Sequence, residues 1–210
     1  MPRVSREQTD SNRLAITDAS ARLFRERGLK GVSVADLMAA AGLTHGGFYG
    51  HFESKDALAA EAVAKAFEQS GARWKKRMVG KADPREAMTA LVEGYLSPQA
   101  RNSPGTSCPT AALVCDVARE PADAPVRAAY RAGVDGMLRV LSSLQQTGDA
   151  GVDRAQALVE LSTMVGALVL ARATAGSALS DELLAAAREH LAATPAPTPP
   201  RRKSSRRASP

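Results

Sequence analysis

The chain has 210 residues, 44% of them hydrophobic, which is enough to form a core in one or two domains. Aromatic residues make up only 4%, and the abundance of alanine favours closely packed helices over a β-sandwich. The net charge is +6, but five basic residues lie in the last ten positions, and without them 23 basic residues face 22 acidic ones. Any nucleic-acid binding by the body of the chain must therefore come from local patches.

Several functional classes lack their sequence signatures. The two cysteines form no CxxC pair, the three histidines have no metal-ligand spacing, and there is no phosphate-binding loop or nucleophile elbow. We therefore expect no catalytic residue, no metal and no cofactor. There is no apolar run of membrane-spanning length and no signal-peptide pattern, so we expect a cytoplasmic protein without a membrane partner.

The first predicted helix runs from about Ser11 to Arg27, after a start that we expect to be loose up to about Thr9. Its apolar residues share one face, and Gly28 is placed to end it. A second helix follows, for which Ser33 and Asp36 form a capping-box-like pair. Gly42 is placed to end that helix in the left-handed conformation. Val34, Leu37 and Met38 form its buried face.

Thr44 is predicted to cap a third short helix, which completes a helix-turn-helix. Its glycines each cost roughly 1 kcal/mol in a helix interior, so the helix needs anchors, and Phe48 and Phe52 lie four residues apart. We predict that Thr44, His45 and Gly46 face DNA bases. The predicted phosphate contacts are Tyr49, His51 and Lys55, and the full predicted DNA-binding set is Ser33, Thr44, His45, Gly46, Gly47, Tyr49, His51 and Lys55. The alternative is that Gly46 and Gly47 form only a loose loop and that Tyr49 is a core-edge residue.

The remainder is also predicted to be helical, with no strand pattern and no internal repeat. Ser54 caps a helix to about Arg77, and Asp83-Pro84 starts the next. A loop follows at 98–105. Further helices are predicted at about 109–119, 126–146 and 154–175, with a last one capped by Ser180. From Thr194 the sequence is Pro-rich and then basic, and it is expected to be disordered.

The N-terminal quarter resembles the TetR family of transcriptional regulators. The residues that carry the resemblance include Leu23-Phe24, Glu26-Arg27-Gly28, Ala41-Gly42-Leu43 and Phe48-Tyr49-Gly50-His51-Phe52 followed by Ser54-Lys55. The resemblance implies an all-α fold: a three-helix helix-turn-helix DNA-binding domain (1–53), then a helical ligand-binding and dimerisation domain (54–193), with a basic tail (194–210). It also implies a homodimeric repressor that binds a palindromic double-stranded DNA operator and is released by a small-molecule inducer.

The central helices are expected to enclose the ligand. Aromatic residues and methionines suit an apolar ligand, and the candidate lining residues are Trp74, Met88, Tyr95, Cys108, Tyr130 and Met137. For each of them ordinary core packing is an alternative. Cys108 precedes Pro109 and is expected at a helix N-cap, so it is either a sensor of thiol-reactive compounds or a small packing residue. Thr106-Ser107-Cys108-Pro109 resembles a Gly-Cys-Pro-like stretch of a family subgroup, with Ser107 replacing the glycine.

Dimerisation has its own sequence signal, and two other functional classes stay open. One recognition helix covers only a few base pairs, so specificity needs two subunits, and the apolar stripe of the last two helices is the candidate interface. The stripe includes Leu158, Leu161, Met164, Val165, Leu168 and Val169. An enzyme remains an alternative, as does an architectural protein that coats DNA through its basic tail.

Overall fold

The computed structural model describes residues 6–193, and the regular structure in this range is helical. The expectations for residues 1–5 and for the tail from Thr194 lie outside it, whereas residues 6–9, which were expected to be loose, form the start of α1. The elements are α1 (Arg6–Arg27), α2 (Val34–Ala40), a 3-10 helix (His45–Gly50), α3 (Lys55–Met78), α4 (Pro84–Tyr95), α5 (Pro98–Asn102), a 3-10 turn (Pro104–Thr106), α6 (Pro109–Arg119), α7 (Pro125–Gln145), α8 (Ala150–Ala173) and α9 (Ala178–Ala193). The all-α prediction is therefore confirmed.

The N-terminal core is made by the apolar faces of α1, α2 and the 3-10 helix, closed by α3. Ile16 and Phe24 of α1 are almost fully buried, as are Leu37 and Met38 of α2. Phe48 of the 3-10 helix is completely buried beside them. This core fixes the orientation of the helix-turn-helix relative to α3.

The larger domain is a layered helical bundle in which α3 packs on α7, α7 on α8, and α8 on α9. Gly133 permits the close crossing of α3 and α7, because any Cβ at that position would overlap the ring of Phe67. The Phe67 ring also meets the Tyr130 ring edge-on, with centroids 5.6 Å apart. Since α3 contributes to both cores, it connects the two halves rigidly.

The two halves also meet at the C-terminal end of α1. Arg25 donates from Nη1 to the carbonyl of Ser107, at 3.2 Å. Lys30, just after α1, pairs with Glu120 at the end of α6, at 3.2 Å. The end of α1 is thus attached to both ends of the segment 107–120.

Two further expectations from the sequence, both about helix positions, were wrong. The loop predicted at 98–105 contains α5 and the 3-10 turn, since Ser97 caps α5 by accepting from the Ala100 amide at 3.1 Å. Ser180 does not cap the last helix. It lies inside α9, fully buried, and its hydroxyl donates to the carbonyl of Ala171 at 2.6 Å.

The apolar stripe of α8 is divided between two faces. Leu161, Met164 and Leu168 point into the subunit core, with exposures of 6%, 0% and 0%. Leu158 and Val159 are 45% and 57% exposed, while Val165 and Val169 are partly buried. By length and composition alone, α8 is also apolar enough to cross a membrane, which is weak evidence for a single helix.

Candidate functional site

The start of α2 and the turn that follows it are each held by a device that the sequence predicts. The Ser33 hydroxyl accepts from the Asp36 amide at 3.1 Å, and the Asp36 carboxylate accepts from the Ser33 amide at 2.9 Å. Hydrogen bonds from Ser33 lower the pKa of Asp36. Gly42 ends α2 with a φ of +73°, and the Leu43 amide donates to the Met38 carbonyl at 2.9 Å. The turn that orients the next helix is therefore well defined.

The next element is a 3-10 helix, which is anchored on its buried side by aromatic residues. The Phe48 ring stacks on the Phe52 ring, with centroids 5.9 Å apart. Thr44 is exposed, and its side chain makes no capping hydrogen bond. Cβ atoms built at Gly46 and Gly50 would meet open space, so the backbone there can approach another surface closely.

Most of the predicted DNA contacts lie on one exposed surface. Tyr49 is 75% exposed, and Lys55 is half-buried at the first position of α3. His51 differs, since it is half-buried and its Nδ1 is enclosed without a hydrogen-bond partner among residues 6–193. The exposed members of the predicted set are Ser33, Thr44, His45, Gly46, Gly47 and Tyr49.

Arg13 supports this surface, and the sequence reasoning assigned it no role. Its guanidinium donates to the His51 carbonyl, pairs with Glu61 of α3, and lies 4.2 Å from the centroid of the Phe52 ring. One side chain thus joins α1, the end of the 3-10 helix and α3. The sequence signal that could have identified Arg13 is its position one turn before Thr17, a buried residue on the same face of α1.

The candidate ligand residues do not line one pocket. Met88 lines a cavity of about 970 Å³ between α4, α7, α8 and α9. Trp74, Tyr95 and Cys108 line a separate cavity of about 130 Å³ between α3, α4 and the segment before α6.

Tyr130 and Met137 line neither of these two cavities. The Tyr130 hydroxyl donates to the Thr110 carbonyl at 3.1 Å, and the Thr110 hydroxyl donates to the Met137 sulfur at 3.3 Å. Burial raises the pKa of Tyr130 well above its ordinary value, so its hydroxyl stays a donor. Both residues therefore take part in packing α6 on α7.

The two cysteines are free and differ in exposure. Cys108 is only 3% exposed and occupies the N-cap position of α6, but its side chain makes no capping hydrogen bond. Cys115, two turns on, is exposed. Within residues 6–193, no group of three or more His, Cys, Asp or Glu side chains is placed to hold a metal ion.

Comparisons with known proteins agree with the architecture. Residues 16–62 match the model of bacterial regulatory proteins of the tetR family. The HTH-type transcriptional repressor KstR2 of Rhodococcus jostii is 32% identical over 80 residues, or 38% of this chain and 39% of that protein. The HTH-type transcriptional repressor DhaR of Mycobacterium sp. strain GP1 is 38% identical over 52 residues, or 25% and 26% of the two chains. The matched region thus spans about two-fifths or less of these curated relatives.

Solved structures extend the likeness to most of the chain. A TetR transcriptional regulator from Chloroflexus aurantiacus has a TM-score of 0.71 at 29% identity, covering 89% of this chain and 94% of that one. The reduced form of NemR from E. coli has a TM-score of 0.73, covering 86% and 95%, and its 22% identity shows the fold alone.

The fold and the exposed surface define a helix-turn-helix protein with a helical second domain. Its N-terminal domain is the tetR-family domain, and its two-domain fold is that of TetR regulators of known structure. The family match itself covers residues 16–62.

Proposed function

We propose that this protein is a dimeric, cytoplasmic transcriptional repressor that binds a palindromic operator and is released from it by a small molecule. The observation that carries the proposal is the exposed surface of the 3-10 helix. There the Tyr49 side chain projects to solvent and the backbone of Gly46 and Gly47 is exposed. The other side of the helix is anchored by buried Phe48 and Phe52. A rigid, exposed helix with a polar tip is what entry into the major groove requires.

The proposed contacts follow from the exposed chemistry. Thr44 and His45 present a hydroxyl and an imidazole near base edges, while the Tyr49 phenol and the Lys55 ammonium suit phosphates. Lys55 also begins α3, where the helix N-terminus favours an anion. We place His51 in a supporting role, because its ring is half-buried and its carbonyl is held by Arg13.

The proposed dimer uses the outer face of α8. Val159, Gly166 and Leu170 recur at helical spacing on that face, and the two side chains are 57% and 52% exposed. A Cβ at Gly166 would meet open space, so a partner helix can approach closely there. Leu179 of α9 adds a further apolar side chain that is 50% exposed. The inward-facing Leu168 belongs to the subunit core.

The inducer is proposed to bind in the helical domain. The 970 Å³ cavity is large enough for a drug-sized ligand, and a thiol-reactive compound at Cys108 is the second route. The burial of Cys108 favours the non-covalent route, because a reagent must reach the sulfur before it can react. Alkylation with operator binding as readout separates them: a covalent inducer requires Cys108→Ser to keep the operator while wild type and Cys115→Ser lose it.

Selection from a random DNA library, followed by a titration of the selected site, tests the central proposal. We expect two symmetric half-sites, and Tyr49→Ala should weaken binding to all sequences. Lys55→Ala should reduce the slope of log K against log salt concentration by about 1 per lost contact. Lys76→Ala, which removes an exposed charge at the far end of α3, is the control and should leave the slope unchanged. Selection of no preferred sequence would instead support a protein that coats DNA.

A further inference from the structure

Three arginines converge on the segment that precedes α6, and a fourth lies one turn from one of them. Arg73 of α3 and Arg25 of α1 each donate to the Ser107 carbonyl at 3.2 Å. Arg172 of α8 donates to the Ser107 hydroxyl and, at 3.1 Å, to the Ala100 carbonyl. Arg77, one turn after Arg73, lies directly against Gly94 of α4, where any Cβ would overlap its guanidinium.

This cluster has no carboxylate partner. The ion pairs in the described range 6–193 involve none of these four arginines, and Arg77 makes no hydrogen bond there either. Burial and the neighbouring Arg73 charge lower the pKa of Arg25 to about 10, and burial followed by the Arg77 charge lowers the pKa of Arg73. All four remain cations at neutral pH, so the site holds concentrated positive charge that nearby dipoles compensate only in part.

A cavity of about 130 Å³ borders two of these four charges. Arg73 and Arg77 line it on one side, and Trp74 and Tyr95 line it with rings whose centroids are 6.1 Å apart. Tyr95 is 3% exposed, yet its hydroxyl has no well-formed hydrogen bond, and the weak thiol of Cys108 lies beside it. Burial raises the pKa of Tyr95, so this hydroxyl stays protonated and can donate to a stronger acceptor than the Cys108 thiol.

We propose that this cavity binds a small carboxylate, with the guanidinium groups of Arg73 and Arg77 and the Tyr95 hydroxyl as donors to its oxygens. Guanidinium groups match the planar geometry of a carboxylate. The ring of Trp74 offers an apolar wall to the remainder of the ligand. An apolar cavity of 150 Å³ holds benzene, so this one admits a ligand of about six heavy atoms.

The same contacts give the ligand a route to the DNA-binding domain. Arg25 belongs to α1, and it shares the Ser107 carbonyl with Arg73. An anion that draws Arg73 into the cavity weakens that shared contact between α1 and the segment before α6. As an effector of operator binding, in addition to an inducer in the 970 Å³ cavity, the carboxylate rests on the proposed repressor function. As a binding site, it rests only on the cluster and the cavity.

The test uses the full chain without DNA. Sodium butyrate is the probe, butyramide is its uncharged counterpart of equal size, and sodium chloride controls for ionic strength. Wild type should gain roughly 2–4 °C in Tm at a butyrate concentration of about five times Kd. Arg73→Gln and Arg77→Gln should lose this gain. Lys75→Gln, which removes an exposed charge from the same helix, should keep it.

Three results would overturn the proposal: an equal gain from butyramide or sodium chloride, no gain from butyrate in wild type, or a full gain in both arginine variants. Arg77→Gln keeps the test valid if Arg73→Gln does not fold, because Arg77 holds no described hydrogen bond. Because DNA is absent, a failure of operator binding would contradict the repressor proposal without changing this result.

Discussion

Arg13 links the end of the 3-10 helix to α1 and α3. Its hydrogen bond to the His51 carbonyl and its stacking on Phe52 fasten the end of that helix to α1. Arg13→Ala should lower the free energy of unfolding by about 1 kcal/mol, or roughly 2–4 °C in Tm, since the partly exposed ion pair to Glu61 adds little. If the same hydrogen bond is lost in the DNA-bound form, operator affinity should fall about tenfold. Arg13→Lys should recover only part of both losses, and full recovery would show that charge alone matters.

Glu160 gives the protein a pH dependence at the residue scale. Burial raises the pKa of its carboxyl above 4.5, although Gln145 and Gln156 donate to it at 2.8 and 3.1 Å. The folded state therefore holds this proton to a higher pH than the unfolded state, and this group's contribution to stability falls as pH rises from about 4.5 through the folded pKa.

Replacing Glu160 with Gln removes this titration. The stability of Glu160→Gln relative to wild type should rise with pH above about 4.5, by about 1.4 kcal/mol for each unit of pKa shift. Denaturant unfolding of both proteins between pH 4 and 8 measures it. A difference in stability between the two proteins that stays constant across that range would show that burial does not raise the pKa of Glu160.

Among the elements, α8 carries the dimer prediction. Leu170 is 52% exposed on its outer face, whereas Leu168 is completely buried. We expect Leu170→Glu to fold as a monomer and to lose operator binding, because a charge in an apolar interface is costly. Leu168→Glu should instead unfold the subunit. Light scattering together with circular dichroism separates the two outcomes, and a dimeric Leu170→Glu variant would place the interface elsewhere.

The elements also show where sequence reasoning succeeds. Caps are local, so Ser33 with Asp36 and Asp83 with Pro84 were predicted correctly. Whether an apolar side chain points into the core depends on the helices packed around it. In a helix as apolar as α8, the sequence therefore does not distinguish the core-facing residues from those on the outer face. Ser180 resembles a cap but bonds to Ala171 of the preceding helix, a contact that depends on tertiary packing.

At the scale of the whole molecule, the sequence predicted the exposed residues of the 3-10 helix better than it predicted which residues line one cavity. Tyr49 and its neighbours follow from one contiguous motif, which fixes their relative positions. The cluster beside Tyr95 requires α1, α3 and α8 to bring arginines together from three parts of the sequence, and no local pattern encodes that convergence.

Net charge gives a prediction for the complete chain. Ending the protein after Ala193 removes five basic residues and brings the net charge from +6 to about +1. Non-specific DNA affinity at low salt should fall, with a slope against log salt that is smaller by up to about 4.5, while operator preference persists. Replacing the five residues with Gln should match the truncation. If operator preference disappears with either change, the tail takes part in sequence recognition.

The continuity of α3 has a mechanical consequence. Its 24 residues form one rod of about 36 Å, from Lys55 beside the 3-10 helix to Met78 just past Arg77. If the rod pivots near Trp74, a tilt of roughly 5° at the cavity sweeps its far end through about 2–3 Å. In the proposed dimer, opposite tilts of the two α3 helices would change the distance between the two 3-10 helices by twice that amount. The half-sites of DNA, however, are a fixed distance apart. A movement of less than about 1 Å around a bound ligand would thereby become a displacement at the DNA that is large enough to break a hydrogen bond.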